Sequence, residues 1–482
     1  MELTSKKFKS ELILEIQACL QLAVPLVITQ ILEAGIPLLD GVMMGLLNSQ
    51  ALAAGALGAV TFSTLASVCR SVLSAAGVSV ANAFGAGKID QVSRATGQGI
   101  WLAVTMCLPV MFVIWHFDSI LLLTGQEESN VLLAQTYLRS IVWGFPAALG
   151  FCILKEVSSA LNRPQFLTVI TVVGLLSNAA ANYLLIFGKF GFPVLGLAGI
   201  GWASALIFWL NFIAAASWIC FDNYFKKYQL HCALHQFDKD MFIDIFQTGW
   251  FLGLQYGAEI GVFTVTALLM GWFGTETLAA HEITVETESF VETVSIGISY
   301  AVTMRVGQLR GQNDLKGASR AGFVCIALIT PVVSIVALIF WLFPNYIVAM
   351  YLDTSNLDNI EIVKTANSFL AAGAIVQILY SIQTIAAGAL IGLKDTKVPV
   401  LITMFAYWGV GLGGGYLMAF TFGWGAIGLW LGLVLGLLMG AVLLTWRFYL
   451  LTTELSYSRQ QPHAVPFAER LVEKGGAGSM SL

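Results

Sequence analysis

Twelve apolar runs, each long enough to cross a bilayer and each closed by charges or turn residues, dominate this chain and leave it few folds. They lie near 16–46, 52–80, 97–123, 131–160, 165–187, 195–221, 242–273, 278–304, 318–350, 363–392, 398–422 and 425–451. A transmembrane helix needs about 20 apolar residues. In lipid every backbone polar group must be satisfied within the chain, which only helices and closed barrels achieve, and runs of this length are helices. Charged residues make up 11% of the 482 residues, too few to cover a water-soluble fold of this size. Mean hydropathy is +0.81, which also excludes a disordered chain. The net charge of -4 gives no reason to expect nucleic acid as a partner. The sequence predicts an all-α integral membrane protein of 12 transmembrane helices, with membrane lipid as its solvent.

Charge placement tests the count. Of 24 Lys and Arg, all but Arg70, Arg139, Lys189 and Lys364 fall in the termini or near the loops that follow even-numbered spans. Positive charge marks the cytoplasmic side, so both termini are predicted to be cytoplasmic in the plasma membrane, or the inner membrane of a bacterium. Lys6, Lys7 and Lys9 precede an apolar stretch, Ile16 to Gly45, that is too long for a cleaved signal region. The seven cysteines show no pairing or ligand spacing, so neither disulfides nor a zinc site is expected. His231 and His235 stand four apart in a polar linker with no further ligand nearby, and no metal is expected there.

The chain repeats itself at an offset of 226. Met44 and Gly45 meet Met270 and Gly271; Leu52, Ala53 and Ala54 meet Leu278, Ala279 and Ala280; Gly85 meets Gly311; Ser93, Arg94 and Ala95 meet Ser319, Arg320 and Ala321. Further on, Pro164 and Pro399 open spans 5 and 11, and Tyr183 and Tyr416 sit near their ends. The division predicted is an N-terminal six-helix bundle over 1–221, a cytoplasmic linker over 222–240, a C-terminal six-helix bundle over 241–452 and a cytoplasmic tail over 453–482. Two pseudo-symmetric halves enclosing a site are a transporter pattern. No GxxxxGKS or GxxxxGKT motif occurs, so ATP is not expected to drive transport within this chain, and neither enzymatic activity nor a cofactor is predicted.

A charge at mid-membrane costs about 2.5–3.5 kcal/mol on insertion scales, so each is a functional candidate. Span 1 carries Glu33 and Asp40, span 2 Arg70, span 7 Glu259, and span 8 Glu282, Glu286, Glu288 and Glu292. The offset lays Glu33 on Glu259. Asp40 follows Pro37, which breaks a helix hydrogen bond, and such bends line cavities. The bland alternative is that Asp40 bonds a freed backbone group or pairs with Arg70. Glu259 lies among small and apolar residues, where a carboxyl can carry a proton or trade it against a cation, or can simply be a neutral hydrogen-bonded acid. Asn178 and Asn182 share one face of span 5 and can help Asp40 hold a proton or Na⁺, or merely bond between helices. The four span 8 glutamates cover an arc of about 160° at helical spacing. Four lipid-facing carboxylates are implausible, so that face is expected to line water and attract cations, with Glu282 nearer the interface and Glu286 and Glu292 deeper. Glu286, Glu288, Glu292, Tyr380, Gln255 and Gln383 are the candidate substrate contacts. The glycines at 411, 413, 414 and 415 read as close helix packing rather than a phosphate loop.

Five stretches, in order and spacing, resemble the multidrug and toxic compound extrusion (MATE) family: PLLDGVMMG with ALAAGALG, SNAAANYLLIFG, AAHEI, RVGQLRGQ and AAGALIGLKDTKVP. The resemblance, to bacterial NorM-like members, spans essentially all twelve runs. It implies two six-helix bundles around a V-shaped cleft and drug export in exchange for H⁺ or Na⁺. It places Asp40 on the family's span 1 aspartate, Asn178 on its span 5 asparagine and Glu259 on its span 7 glutamate. Asn182 stands where some members have aspartate, and Tyr380 where many bacterial members have a span 10 acid. Glu286 or Glu292 is expected to supply that missing charge.

The reading is thus a secondary antiporter, acting as a monomer, that exports small organic cations by alternating access. A lipid-linked oligosaccharide flippase of the same superfamily would need a basic cavity for pyrophosphate. A channel would need a continuous pore, usually with rings of charge from several subunits.

Overall fold

The computed structural model describes residues 2–230, 237–354 and 356–460, with side chains from residue 11 to 453. His231 and His235, part of the linker and most of the tail lie outside the described residues. Twelve long helices cross the molecule, and no strand occurs among the described residues. They are α1 (Glu2–Leu47), α2 (Ser49–Gly85), α3 (Ile89–Trp115), α4 (Glu128–Ala160), α5 (Gln165–Phe187), α6 (Gly196–Phe221), α7 (Lys239–Gly271), α8 (Thr275–Gly311), α9 (Leu315–Leu342), α10 (Ile360–Gly392), α11 (Lys397–Thr421) and α12 (Ala426–Gln460). Eleven are long and apolar enough to span a membrane by length and composition. The twelfth, α8, has 37 residues but carries the glutamates that lower its hydropathy.

The helices start where the sequence offers caps. Asn48 accepts from the Ala51 amide at 2.7 Å, Asp238 from Met241 at 3.1 Å and Asp314 from Gly317 at 2.8 Å, each satisfying a donor left free at a helix start. The repeat reappears in the turns. Left-handed residues recur in pairs, Gly87 with Asn313, Asn162 with Lys394 and Gly188 with Gly423, with φ between 56° and 73°. The two halves therefore turn at matching places even where the residue type differs.

In the first half α2 packs on α3 and α4, α6 packs on α4 and α5, and α1 packs on α5. In the second, α10 is the hub, packed against α8, α9 and α12. The bundles meet through α1 with α8, α2 with α7 and α2 with α8. The start of α1 and the ends of α2, α8 and α12 share one face, here the terminal face. The hydrogen bonds joining the bundles sit in that half. Arg305 grips Glu15 through two bonds of 2.7 and 2.8 Å, Arg320 pairs with Glu11, and Gln308 donates to the Ala160 carbonyl and to Asn162 Oδ1, both at 2.9 Å. Gly85 and Gly311 let α2 and α8 touch backbone to backbone there. A Cβ at Gly297 would lie 2.7 Å from Val27 Cα, so α1 and α8 are still in contact near mid-helix.

The glycine-rich stretch of α11 does pack closely. A Cβ on Gly436 of α12 would fall 2.8 Å from Gly411 Cα, and Gly432 abuts Gly415. Over Phe405–Gly413 and Leu417–Thr421 the helix is wound wide, as a π-helix. Such turns are rare and recur at functional sites.

Candidate functional site

Two cavities lie side by side within the bundles. The first, about 310 Å³, opens among α1, α2, α4, α5 and α6, reaches α7 and α8 of the other bundle, and is lined by Gln30, Glu33, Asp40, Arg70 and Lys155 among others. The second, about 170 Å³, opens among α2, α7, α8, α10 and α11 and is lined by Gln255, Glu259, Tyr380, Gln383 and Tyr407 among others. Ser71, Tyr256, Ile296 and Tyr300 line both, so the cavities share a wall where the bundles meet.

In the first cavity Asp40 is buried, 3% exposed, and held by neutral donors. Asn182 Nδ2 donates to its Oδ1 at 2.7 Å and Ser204 Oγ to its Oδ2 at 2.8 Å. Asn182 also donates to Asn178 Oδ1 at 3.1 Å, and Asn178 to Ser204 at 3.2 Å, closing a network across α1, α5 and α6. The four-residue spacing on α5 puts both asparagines on Asp40's side, as expected. Asn182 Oδ1 is buried without a donor. The network thus offers oxygens to one more positive group, a proton or a hard cation such as Na⁺. Asp40 makes no ion pair with Arg70, whose Nη2 donates to Ser67 at 2.6 Å instead.

Glu33 lines the same cavity, but Lys155 Nζ reaches both its oxygens at 2.8 Å and Gln30 at 3.2 Å. By charge sequence alone Lys155 counts as a loop residue; the structure buries it, 7% exposed. Its neighbour Glu156 is also buried, with Oε2 unpartnered against Gly77 of α2. Sequence reasoning passed over Glu156 and Ser204. The signals were present: a Lys–Glu pair inside span 4, and a serine inside the apolar run of span 6.

In the second cavity Glu259 and Tyr380 line the same space. Glu292 is close enough to interact electrostatically with Glu259, Tyr380 and Tyr407. Gln255 and Gln383 both line the cavity, and each keeps a buried side-chain oxygen with no donor, that of Gln383 against Gly440 of α12. The lining thus has one carboxylate, many hydroxyls and no Lys or Arg, a setting that accepts a cation. Tyr407 was not foreseen. It comes from the widened part of α11, whose next residue, Trp408, donates its indole N–H to the Ala258 carbonyl at 3.0 Å, beside Glu259.

The span 8 acids do not form one wet wall, and this corrects the expected arc. Glu282 and Glu286 are exposed and line neither cavity. Glu288 is 1% exposed, its Oε1 lodged against Gly373 of α10, where the missing side chain leaves it room. Only Glu292 is partly buried near the second cavity. The cause is the hub position of α10, which covers one flank of α8 and leaves the other open.

Comparison with known proteins gives three concordant results. A family model described as MatE matches residues 25–184 and 252–417, one stretch in each half. The probable multidrug resistance protein NorM of Synechococcus sp. is 35% identical, over 93% of this chain and 97% of its own length. The protein of that name from Pseudomonas aeruginosa is 36% identical, over 92% and 91%. Among solved structures, a eukaryotic MATE transporter superposes with a TM-score of 0.80 at 20% identity, covering 94% of this chain and 99% of its own. An outward-facing MATE family transporter superposes with 0.82 at 16%, covering 92% and 96%. At these identities the structures speak for the fold.

Proposed function

From the premise that the chain belongs to the MatE family, we propose that this multidrug efflux transporter exports small organic cations in exchange for H⁺ or Na⁺ by alternating access. The observation that carries the reading is a pair of acids with no basic partner, Asp40 in one cavity and Glu259 in the other, on either side of a shared wall. A carboxyl that can be neutral or charged inside a bundle lets one cation displace another.

In this reading Asp40, Asn178, Asn182 and Ser204 hold the coupling ion. Glu259 and Glu292 hold the substrate's positive charge, with Tyr380, Tyr407, Gln255 and Gln383 around it. Glu33 has a positioning role through Lys155, and Glu288 a packing role. The terminal face is cytoplasmic, on the strength of its Lys and Arg. The bundles are thus closed toward the cytoplasm, and the cleft faces outward. One chain suffices for this reading, in keeping with a monomer, because both acids and both cavities come from it.

A flippase for a pyrophosphate-linked oligosaccharide needs a basic cavity. Here Lys155 is engaged by Glu33, which leaves Arg70 alone. A channel is disfavoured by the duplicated halves and by the backbone contact of α2 with α8 that closes the terminal face. The test is dye movement in proteoliposomes driven by a proton gradient alone, then by a sodium gradient alone. Movement under one of them identifies the coupling ion. Movement under neither, with protein that still binds dye, overturns the exchange mechanism.

A further inference from the structure

Arg70 is the unexplained group. It lines the first cavity on α2, fifteen residues before the helix ends at Gly85. One of its five N–H donors goes to Ser67. Among the described residues no carboxylate comes within ion-pair distance of it: Glu33 is held by Lys155, and Asp40 by Asn182 and Ser204. A cation within the membrane is costly and rarely carried without a partner. It also repels the very cations that the second cavity attracts. Something in the transport cycle must offset it.

The surroundings say what. Ser63, Ser67 and Ser71 follow one another at four-residue spacing along α2 and line the cavity beside the guanidinium. Arginine's planar fork matches a carboxylate through two parallel bonds, and hydroxyls supply further donors to the same oxygens. The neighbouring cavity carries acid without base: Glu259 lines it, Glu292 lies nearby, and no Lys or Arg is among its described lining residues. The wall shared by Ser71, Tyr256, Ile296 and Tyr300 sets the two side by side.

We infer that Arg70 seats the carboxylate of zwitterionic amphiphiles whose cationic group occupies the second cavity. The inference rests on the export reading and narrows it: the preferred substrates carry both charges, at opposite ends. A dye with the positive charge alone gains nothing from Arg70 and is mildly repelled by it.

Rhodamine B and its ethyl ester test this, because they differ only in the free carboxylate. Binding of each to the purified full-length protein is followed by fluorescence at neutral pH. The wild type binds the acid more tightly than the ester. Arg70→Gln weakens the acid about ten- to 100-fold, the range for hydrogen bonds to charged groups, and does not weaken the ester. Arg70→Lys keeps the charge but loses the fork, and falls between. Added acetate competes with the acid and leaves the ester alone. A wild type that prefers the ester overturns the inference without any variant. So does an Arg70→Gln protein that loses both dyes equally or neither. Acetate that strengthens ester binding assigns the seat to a free anion instead. If neither dye binds the wild type, the export reading falls too; if the ester binds and depends on Glu259 while the acid ignores Arg70, only this inference falls.

Discussion

The two bundles descend from one pattern but keep their acids in different states, and position by position the pattern is inverted. Glu33 and Glu259 are repeat mates at an offset of 226. In the first bundle the glutamate is neutralised by Lys155 at 2.8 Å. In the second it has no ion pair among the described residues and shares its cavity with Tyr380 and Tyr407. The mate of Asp40 is Thr266, which is 1% exposed with a hydroxyl lacking any partner. On its first helix each half has therefore kept one mid-membrane carboxyl without an ion pair, at a different turn. The surrounding helices follow suit. The asparagines of α5 lie on a regular helix, and the matching stretch of α11 is glycine-rich and π-wound, delivering a tyrosine instead. Duplication supplied two scaffolds, and divergence divided ion holding from substrate holding between them.

Removing these two first-helix acids is the largest test of that contrast. Asp40→Asn and Glu259→Gln are each expected to abolish drug resistance at unchanged expression, since deleting a membrane charge eases insertion. The two then separate: Glu259→Gln loses affinity for a cationic dye, and Asp40→Asn keeps it but loses its competition by the coupling ion. Identical defects in both would erase the division of labour.

Breaking the neutralised pair comes next. Lys155→Met leaves Glu33 as a largely buried, unpaired acid and is expected to cost about 3 kcal/mol of stability, read as a lower melting temperature in detergent. Lys155→Met with Glu33→Gln should recover more than half of it. No recovery would mean that Lys155 acts through something other than Glu33.

The α8 acids give a smaller effect. Glu292→Gln is expected to weaken a monovalent cationic dye roughly five- to 150-fold, or about 1–3 kcal/mol. Exposed Glu286→Gln should change it less than twofold. Equal losses in both would restore the continuous acidic wall. Smallest, Gly432→Ala should lower stability by about 1–3 kcal/mol by forcing α11 and α12 apart, with dye affinity at most slightly reduced.

Much of this was legible in the sequence because lipid is a strict solvent. The spans, their repeat and the alternation of positive charge follow from length and hydropathy. Asp40 with Asn178 and Asn182 was legible because helical spacing puts two amides on one face. What escaped depended on partners distant in sequence. Lys155 lies near the end of span 4, and only the fold reveals Glu33 beside it, 122 positions earlier. Glu288 and Glu292 differ by one helical turn, yet one is walled in by Gly373 of α10 and the other lies within electrostatic reach of Glu259. Periodicity gives an azimuth on a helix, and only the neighbouring helix says whether that azimuth is wet. Tyr407 escaped because a π-turn shifts the register that an ordinary helical count assumes.

The Lys155–Glu33 pair also bears on how the chain is made. A helix leaving the ribosome is judged for membrane insertion largely on its own residues, and a lysine beside a glutamate counts against α4. Glu33 is already in the bilayer by then. At roughly 5–20 residues per second it precedes Lys155 by about 6–24 seconds. α1 therefore acts as an acceptor that waits, and α4 enters a membrane where its charge has a place to go. The order of synthesis, with the acid first and the base after, means that Lys155 never has to wait in the bilayer for its partner.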